Sequence, residues 1–155
     1  MKNKDKEKII NFFVNKIGNN DVLKKYITID QIRDRLNQNI VGVEYVDLSQ
    51  KGTIASYDPD SKKVLFNMYA SESEQNVECV VVHELLHALT DSSTIVNNTI
   101  IFNKTGVQCG VRDKDSSSME IFMKYKCLNE GITQMLAEEI TDIKMDFIYP
   151  EEKRI

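Results

Sequence analysis

Residues 80–89 read VVVHELLHAL, and the two histidines in this stretch, His83 and His87, are the only two in the chain. Glu84 follows the first directly, giving the pattern H-E-x-x-H. On an α-helix, four residues turn about 400°, which leaves the two imidazoles about 40° apart on one face and about 5.4 Å apart along the axis. From there both rings reach one ion at roughly 2.0–2.1 Å, and imidazole suits zinc. Glu84 falls at the edge of the same face. It is placed to touch a water in an open fourth position rather than to ligate. There it can accept the water's proton and pass it to a leaving amine.

The residues around the pair are Cys79, Val80, Val81, Val82, Leu85, Leu86, Ala88 and Leu89. A helix apolar nearly all round lies in a core. Burying an acid and two imidazoles there without partners costs on the order of several kcal/mol. Two structural histidines beside an incidental acid would leave that cost standing, whereas a metal offsets it.

A catalytic zinc takes three protein ligands and keeps one position open. The extended motif H-E-x-x-H-x-x-G-x-x-H fails here, because Thr90 stands at the glycine and Ser93 at the third histidine. The remaining ligand is then an acid or a cysteine. Glu130, in LNEGITQML at the start of an amphipathic helix, is the best-placed acid and would complete a His2Glu site. Its plain alternative is a solvated acid favoured by the helix dipole. Glu138 and Glu139 lie deeper in that helix, where a solvent face wants charge. Asp91, Asp113 and Asp115 are the other acids, and each reads more simply as a turn or cap residue.

These residues need elements to hold them. Ile9, Ile10, Phe13, Val14 and Ile17 recur at helical spacing before Gly18. Thr28 and Gln31 form a capping box for a second helix carrying Ile29, Ile32, Leu36 and Ile40. The period then changes. VGVEYVDL, GTIASY and KVLFNM read as three strands, with short connections that predict an antiparallel meander. Ser71 and Glu74 cap the helix of the histidines, which runs to about Asp91, where the polar DSSTIVNN breaks it. TIIFN and GVQCGV suggest a hairpin. Ser117 and Glu120 cap a helix resuming near Ser118, in which Leu128, Ile132, Met135, Leu136 and Ile140 fall at helical spacing. The tail MDFIYPEEKRI ends abruptly, which fits either a chain cut short or a segment that pairs in an assembly.

The chain has 155 residues and a net charge of −4, enough for one domain with a real core and with no general pull toward nucleic acid or anionic membrane. Cys79, Cys109 and Cys127 are odd in number and lack C-x-x-C spacing, so they read as reduced, buried, small apolar residues. No stretch approaches the ~20 apolar residues of a membrane span. The N-terminus reads as an amphipathic helix rather than a signal peptide, so the expected compartment is the cytoplasm.

HELLHALT, then TGVQ, then LNEGITQMLAEEIT resemble the gluzincin metallopeptidases, especially their small minimal bacterial members, over roughly Lys63 to Asp142. The resemblance implies an α+β, zincin-like fold, with a small mixed or antiparallel sheet packed on an active-site helix and a second ligand-bearing helix. It implies one domain over 1–155, with a helical N-terminal part (1–40) and a catalytic core (41–142). It implies zinc held by His83, His87 and Glu130, with Glu84 as general base in the hydrolysis of a peptide or protein. It also implies that KVLFNM, the strand before the active-site helix, forms the upper rim of the cleft and offers an edge to an extended substrate.

Two departures stand out. Thermolysin-type members carry an Asp four residues after the ligand Glu to orient a histidine, and here that residue is Gln134. It can accept an imidazole N–H but supplies no negative charge. Many members also use a downstream His or Tyr at the oxyanion; the candidates here are Tyr125 and Tyr149, with Arg112 as a third. Both departures motivate an alternative, a zinc-stabilised binding or regulatory module of the same fold.

Overall fold

The helical period at the N-terminus produces α1 (Lys2–Gly18), which buries Ile10, Phe13, Val14 and Ile17 along one face. The structure, a computed structural model, describes residues 2–21, 23–70, 74–96, 100–113 and 120–145. After a short 3-10 turn comes α2 (Ile29–Asn39). Its capping box closes as the sequence predicts: Thr28 Oγ1 accepts from the Gln31 amide at 3.2 Å, and Gln31 Oε1 accepts from the Thr28 amide at 2.9 Å. This helix buries Ile32, Leu36 and Asn39.

The first sheet has β1 (Gly42–Val46), β2 (Ala55–Asp58) and β3 (Lys63–Asn67), in the order β1-β3-β2. It is not a meander. The turn after Asp58 does make an antiparallel β2–β3 hairpin, but β1 pairs parallel to β3, Val43 opposite Val64. The segment from Val46 to Ala55, which includes a 3-10 turn at Ser49–Lys51, is long enough to carry the chain past β3. One consequence concerns the cleft. The strand before the helix of the histidines, β3, is bonded on both sides and has no free edge. The edge belongs to β2. The Asn67 amide donates to the Ile54 carbonyl, so the antiparallel alternation turns the main-chain groups of Ala55 and Tyr57 outward.

The helix α3 (Glu74–Thr90) is the centre of the core: Cys79, Val81, Val82, Leu85, Leu86 and Ala88 are all buried among α1, α2 and the first sheet. A second, antiparallel sheet follows, β4 (Thr94–Val96), β5 (Ile100–Thr105), β6 (Gln108–Asp113) and β7 (Glu120–Lys124), in that order. The β5–β6 hairpin matches the sequence reading. The strand β4 lies in the stretch read as a polar break. β7 occupies the region where a helix was expected to resume, and α4 (Lys126–Thr141) begins only after it. Ser71 and Ser117, the two expected caps, lie outside the described residues.

The largest departure is the orientation of α4. Ile132, Met135 and Leu136 are exposed, while Asn129, Thr133, Gln134 and Glu138 are buried against α3. The helix turns its polar row inward. Glu138, expected on the solvent face, is 5 % exposed, whereas Glu139 is exposed as expected. Of the three thiols only Cys79 is buried; Cys109 is half-buried and Cys127 exposed. The whole is a small α+β protein with four α-helices, a mixed three-stranded sheet and a second, four-stranded sheet among the described residues. No described helix is long and apolar enough to cross a membrane.

Candidate metal centre

His83 and His87 sit one turn apart on α3, both buried, their rings 4.7 Å between centroids and inclined at 74°. The apolar surround that predicts a core helix also explains how it holds them: Leu85, Leu86 and Ala88 anchor the other faces, so the imidazoles face α4. Glu130 stands one turn into α4, opposite both. Its Oε2 lies 3.2 Å from His83 Nε2 and 3.3 Å from His87 Nε2, and the two Nε2 atoms are 3.0 Å apart. Among the described residues these three offer ligand atoms all within 4.8 Å of one another, so the group could hold a metal ion. Two neutral nitrogens and one carboxylate oxygen converging from three sides fit a small divalent cation.

Charge supports the same reading. Burial alone would raise the Glu130 carboxyl, but its hydrogen-bonding contacts with His83 and His87 and the electrostatic pull of the two rings outweigh it and hold the group well below the usual carboxylate range. It is an anion ready to ligate.

Glu84 takes a different position. It does not join the cluster. Its Oε2 accepts the outward amide of Tyr57 at 2.6 Å, which docks the side chain on the free edge of β2. Burial pushes its carboxyl up to about 7, against the lowering effects of His83 and the Tyr57 amide. A carboxylic acid poised near neutrality is suited to take up and release a proton.

These groups line one cleft of about 290 Å³, walled by Ser56, Tyr57 and Pro59 on one side and Thr105 and Gln108 of the β5–β6 hairpin on the other. Glu84, His87, Lys126 and Glu130 complete its lining. The hairpin is fastened to α4 at its tip, where the Val107 amide donates to Asn129 Oδ1 at 3.1 Å. Gly106 permits the approach: its φ is +57°, and a Cβ there would lie 2.2 Å from that oxygen. Asn129 Nδ2 reaches His87 Nδ1 at 3.4 Å, so one amide touches both the hairpin and a ring.

The other nitrogen of His83 is also engaged. Gln134 Oε1 lies 3.0 Å from Nδ1, the contact its position in the sequence suggests. Asp91 is fully buried at the end of α3, away from the cluster. It accepts from the Tyr57 hydroxyl at 2.8 Å and from the Ser93 amide at 2.9 Å. Tyr125 is 58 % exposed, holds a left-handed backbone at the N-cap of α4 and does not line the cleft. Tyr149 and Asp115 lie outside the described residues, as do the side chains of Arg112 and Asp113.

Sequence reasoning missed Asn129, Glu138, Lys126 and the Tyr57 amide. Glu138 had a signal, since Glu130, Gln134 and Glu138 form a polar row at a spacing of four, and a row of that kind faces one neighbour. Asn129, Lys126 and the amide had none, because each depends on how α4, the β5–β6 hairpin and β2 come together. No known protein family matches the chain, and neither does any curated protein or solved structure.

Proposed function

We propose that the chain is a zinc-dependent peptidase of zincin-like fold. The observation that carries the reading is Glu84, a non-ligating acid that lines an open cleft beside His83, His87 and Glu130 and is held near neutrality. A purely structural metal site has no use for such a group. Two imidazoles and one carboxylate suit zinc, which accepts such a set with one position left open. Bound by His83, His87 and Glu130, zinc would supply Lewis-acid polarisation of a scissile carbonyl and would make water more acidic.

The rest falls to the chain's own groups. Glu84 takes a proton from the attacking water and delivers it to the departing amine. The Tyr57 amide fixes one of its oxygens and leaves the other for that exchange. With the Tyr57 amide given to Glu84 and the Ala55 carbonyl to the Thr53 hydroxyl, the Ala55 amide and the Tyr57 carbonyl are the outward groups of β2 that an extended peptide would pair with, across from the hairpin wall. Lys126 places a cation on the cleft wall. The substrate class is therefore a peptide or an extended segment of a protein.

Purified chain is expected to bind one zinc and to show chelator-sensitive cleavage of a peptide library. Glu84→Gln should retain the metal and lose roughly 100- to 10,000-fold in turnover, the range of general-base catalysis. Undiminished hydrolysis in that variant would refute the mechanism. A chain that is stabilised by zinc yet cleaves nothing would instead be the binding module.

A further inference from the structure

His83 uses both nitrogens toward α4. Nε2 faces Glu130 and Nδ1 faces Gln134, one helical turn further on. For Nε2 to offer a lone pair to a metal, the ring must carry its proton on Nδ1. Gln134 decides this only if its oxygen, and not its nitrogen, points at the ring. An amide reverses that choice by a half-turn, so something must fix it.

A third residue of the row does. Gln134 Nε2 donates to Glu138 Oε1 at 3.0 Å and lies 3.7 Å from the Cys79 sulfur. The same Glu138 oxygen accepts the Met145 amide at 3.1 Å, so the chain returning from α4 pins the carboxylate in turn. All of this is buried: Gln134 is 2 % exposed, Glu138 5 % and Met145 1 %. Reversing the amide would set its oxygen against a carboxylate oxygen in a site with little water. That repulsion is larger than any gain at the ring.

We infer that Glu138 is a positioning residue of the metal centre, acting through Gln134 to hold His83 as the Nδ1–H tautomer, so that its Nε2 lone pair is turned toward His87 and Glu130, where the ion would sit. The pair replaces one acid on the ring by an amide backed by an acid a turn away. The negative charge lies further from the imidazole, but the direction of the hydrogen bond is kept. The inference rests on His83 being a ligand and concerns how that ligand is prepared.

Long-range proton–nitrogen NMR of the metal-free chain tests it, with just two histidines to assign. At about pH 9, above an ordinary imidazole pKa, the backed Gln134 oxygen should outweigh the Glu130 carboxylate facing Nε2 and keep the His83 proton on Nδ1. A proton on Nε2 in the unaltered chain overturns the proposal, and this reading needs no variant to fold. Glu138→Met, which keeps bulk and removes the acceptor, should yield mixed tautomers and a 10- to 100-fold weaker zinc affinity, the usual effect of losing a supporting group. Adding Gln134→Glu to that variant supplies an acceptor that needs no orienting, and should restore both tautomer and affinity. Gln134→Glu alone sets two carboxylates against each other and should weaken binding. If Glu138→Met leaves tautomer and affinity unchanged, Glu138 is merely structural. If the unaltered chain binds no zinc, the proposed function fails, while the tautomer still decides the relay.

Discussion

Glu130 differs from every other acid near the cleft in touching both imidazoles. Its removal should therefore differ in kind from the removal of a supporting residue. Glu130→Ala deletes one of three ligands, and zinc affinity should fall by more than the roughly 10- to 100-fold expected for a supporting group. Competition with a chromophoric chelator measures this directly. A variant that binds as tightly as the unaltered chain would remove Glu130 from the ligand set. At this scale the sequence was partly legible. His83, Glu84 and His87 are near neighbours on one helix, so local geometry alone places them. Glu130 was reachable by elimination, because the chain has no third histidine. Glu138 was not. An acid beside exposed-looking neighbours reads as solvated, and only the turning of α4 toward the cluster buries it.

The elements are tied together by a few polar contacts whose loss has distinct signatures. Gly106 and Asn129 fasten the β5–β6 hairpin to α4. Gly106→Ala forces a side chain into a left-handed backbone, at about 1–3 kcal/mol, and drives its Cβ into the Asn129 amide. Asn129→Ala should cost about 1 kcal/mol for the lost hydrogen bond. The double variant should cost less than the sum, since the collision is gone once Asn129 is shortened. Thermal melts of the three proteins decide it, and strict additivity would mean that the hairpin tip does not rest on Asn129. Tyr57 is a second tie. Its hydroxyl meets Asp91 and the Asn39 carbonyl, while the Asn39 side chain donates to the carbonyls of Ala88 and Asp91 at 2.8 Å each, joining β2, α2 and the end of α3. Burial, then the Asp91 hydrogen bond and the charges of Asp91 and Asp58, raise the phenol well above its ordinary value. The folded chain thus keeps a proton that the unfolded chain loses near pH 10, so this contribution is whole below about pH 10 and declines above it. Tyr57→Phe should cost about 1–3 kcal/mol near neutrality by leaving Asp91 short of a donor, yet lose less on going from about pH 9 to 11 than the unaltered chain. Parallel alkaline slopes in urea titrations would contradict this. None of these ties has a sequence pattern. Helices and hairpins follow local periodicity, but which strand pairs with which is set by long-range packing, and the parallel β1–β3 pair is the example. The polar inner face of α4 fails for a related reason: periodicity marks a face as apolar without saying that the two histidines on α3 draw the polar face toward them.

Across the whole molecule the candidate ligands come from two helices, α3 in the core and α4 against it. Any ion bound there crosslinks the N-terminal helical core to the segment that follows the second sheet. Such a ligand binds the folded chain and finds no formed site in the unfolded one. At free zinc of 100 times the dissociation constant the folded state gains about 2.7 kcal/mol. For a chain of 155 residues each kcal/mol moves the melting temperature by roughly 2–4 °C, which predicts a rise of about 5–11 °C. The rise should grow with the logarithm of zinc concentration rather than saturate with occupancy, because mass action continues to favour the folded state. Glu84→Gln should show the same rise, since Glu84 stands outside the ligand set, whereas Glu130→Ala should show little at that concentration. Scanning calorimetry across a zinc series, with both variants, separates the cases. An equal shift in all three proteins would place the ion elsewhere on the chain. A shift lost in Glu84→Gln would make that acid a ligand and leave the cleft without its base.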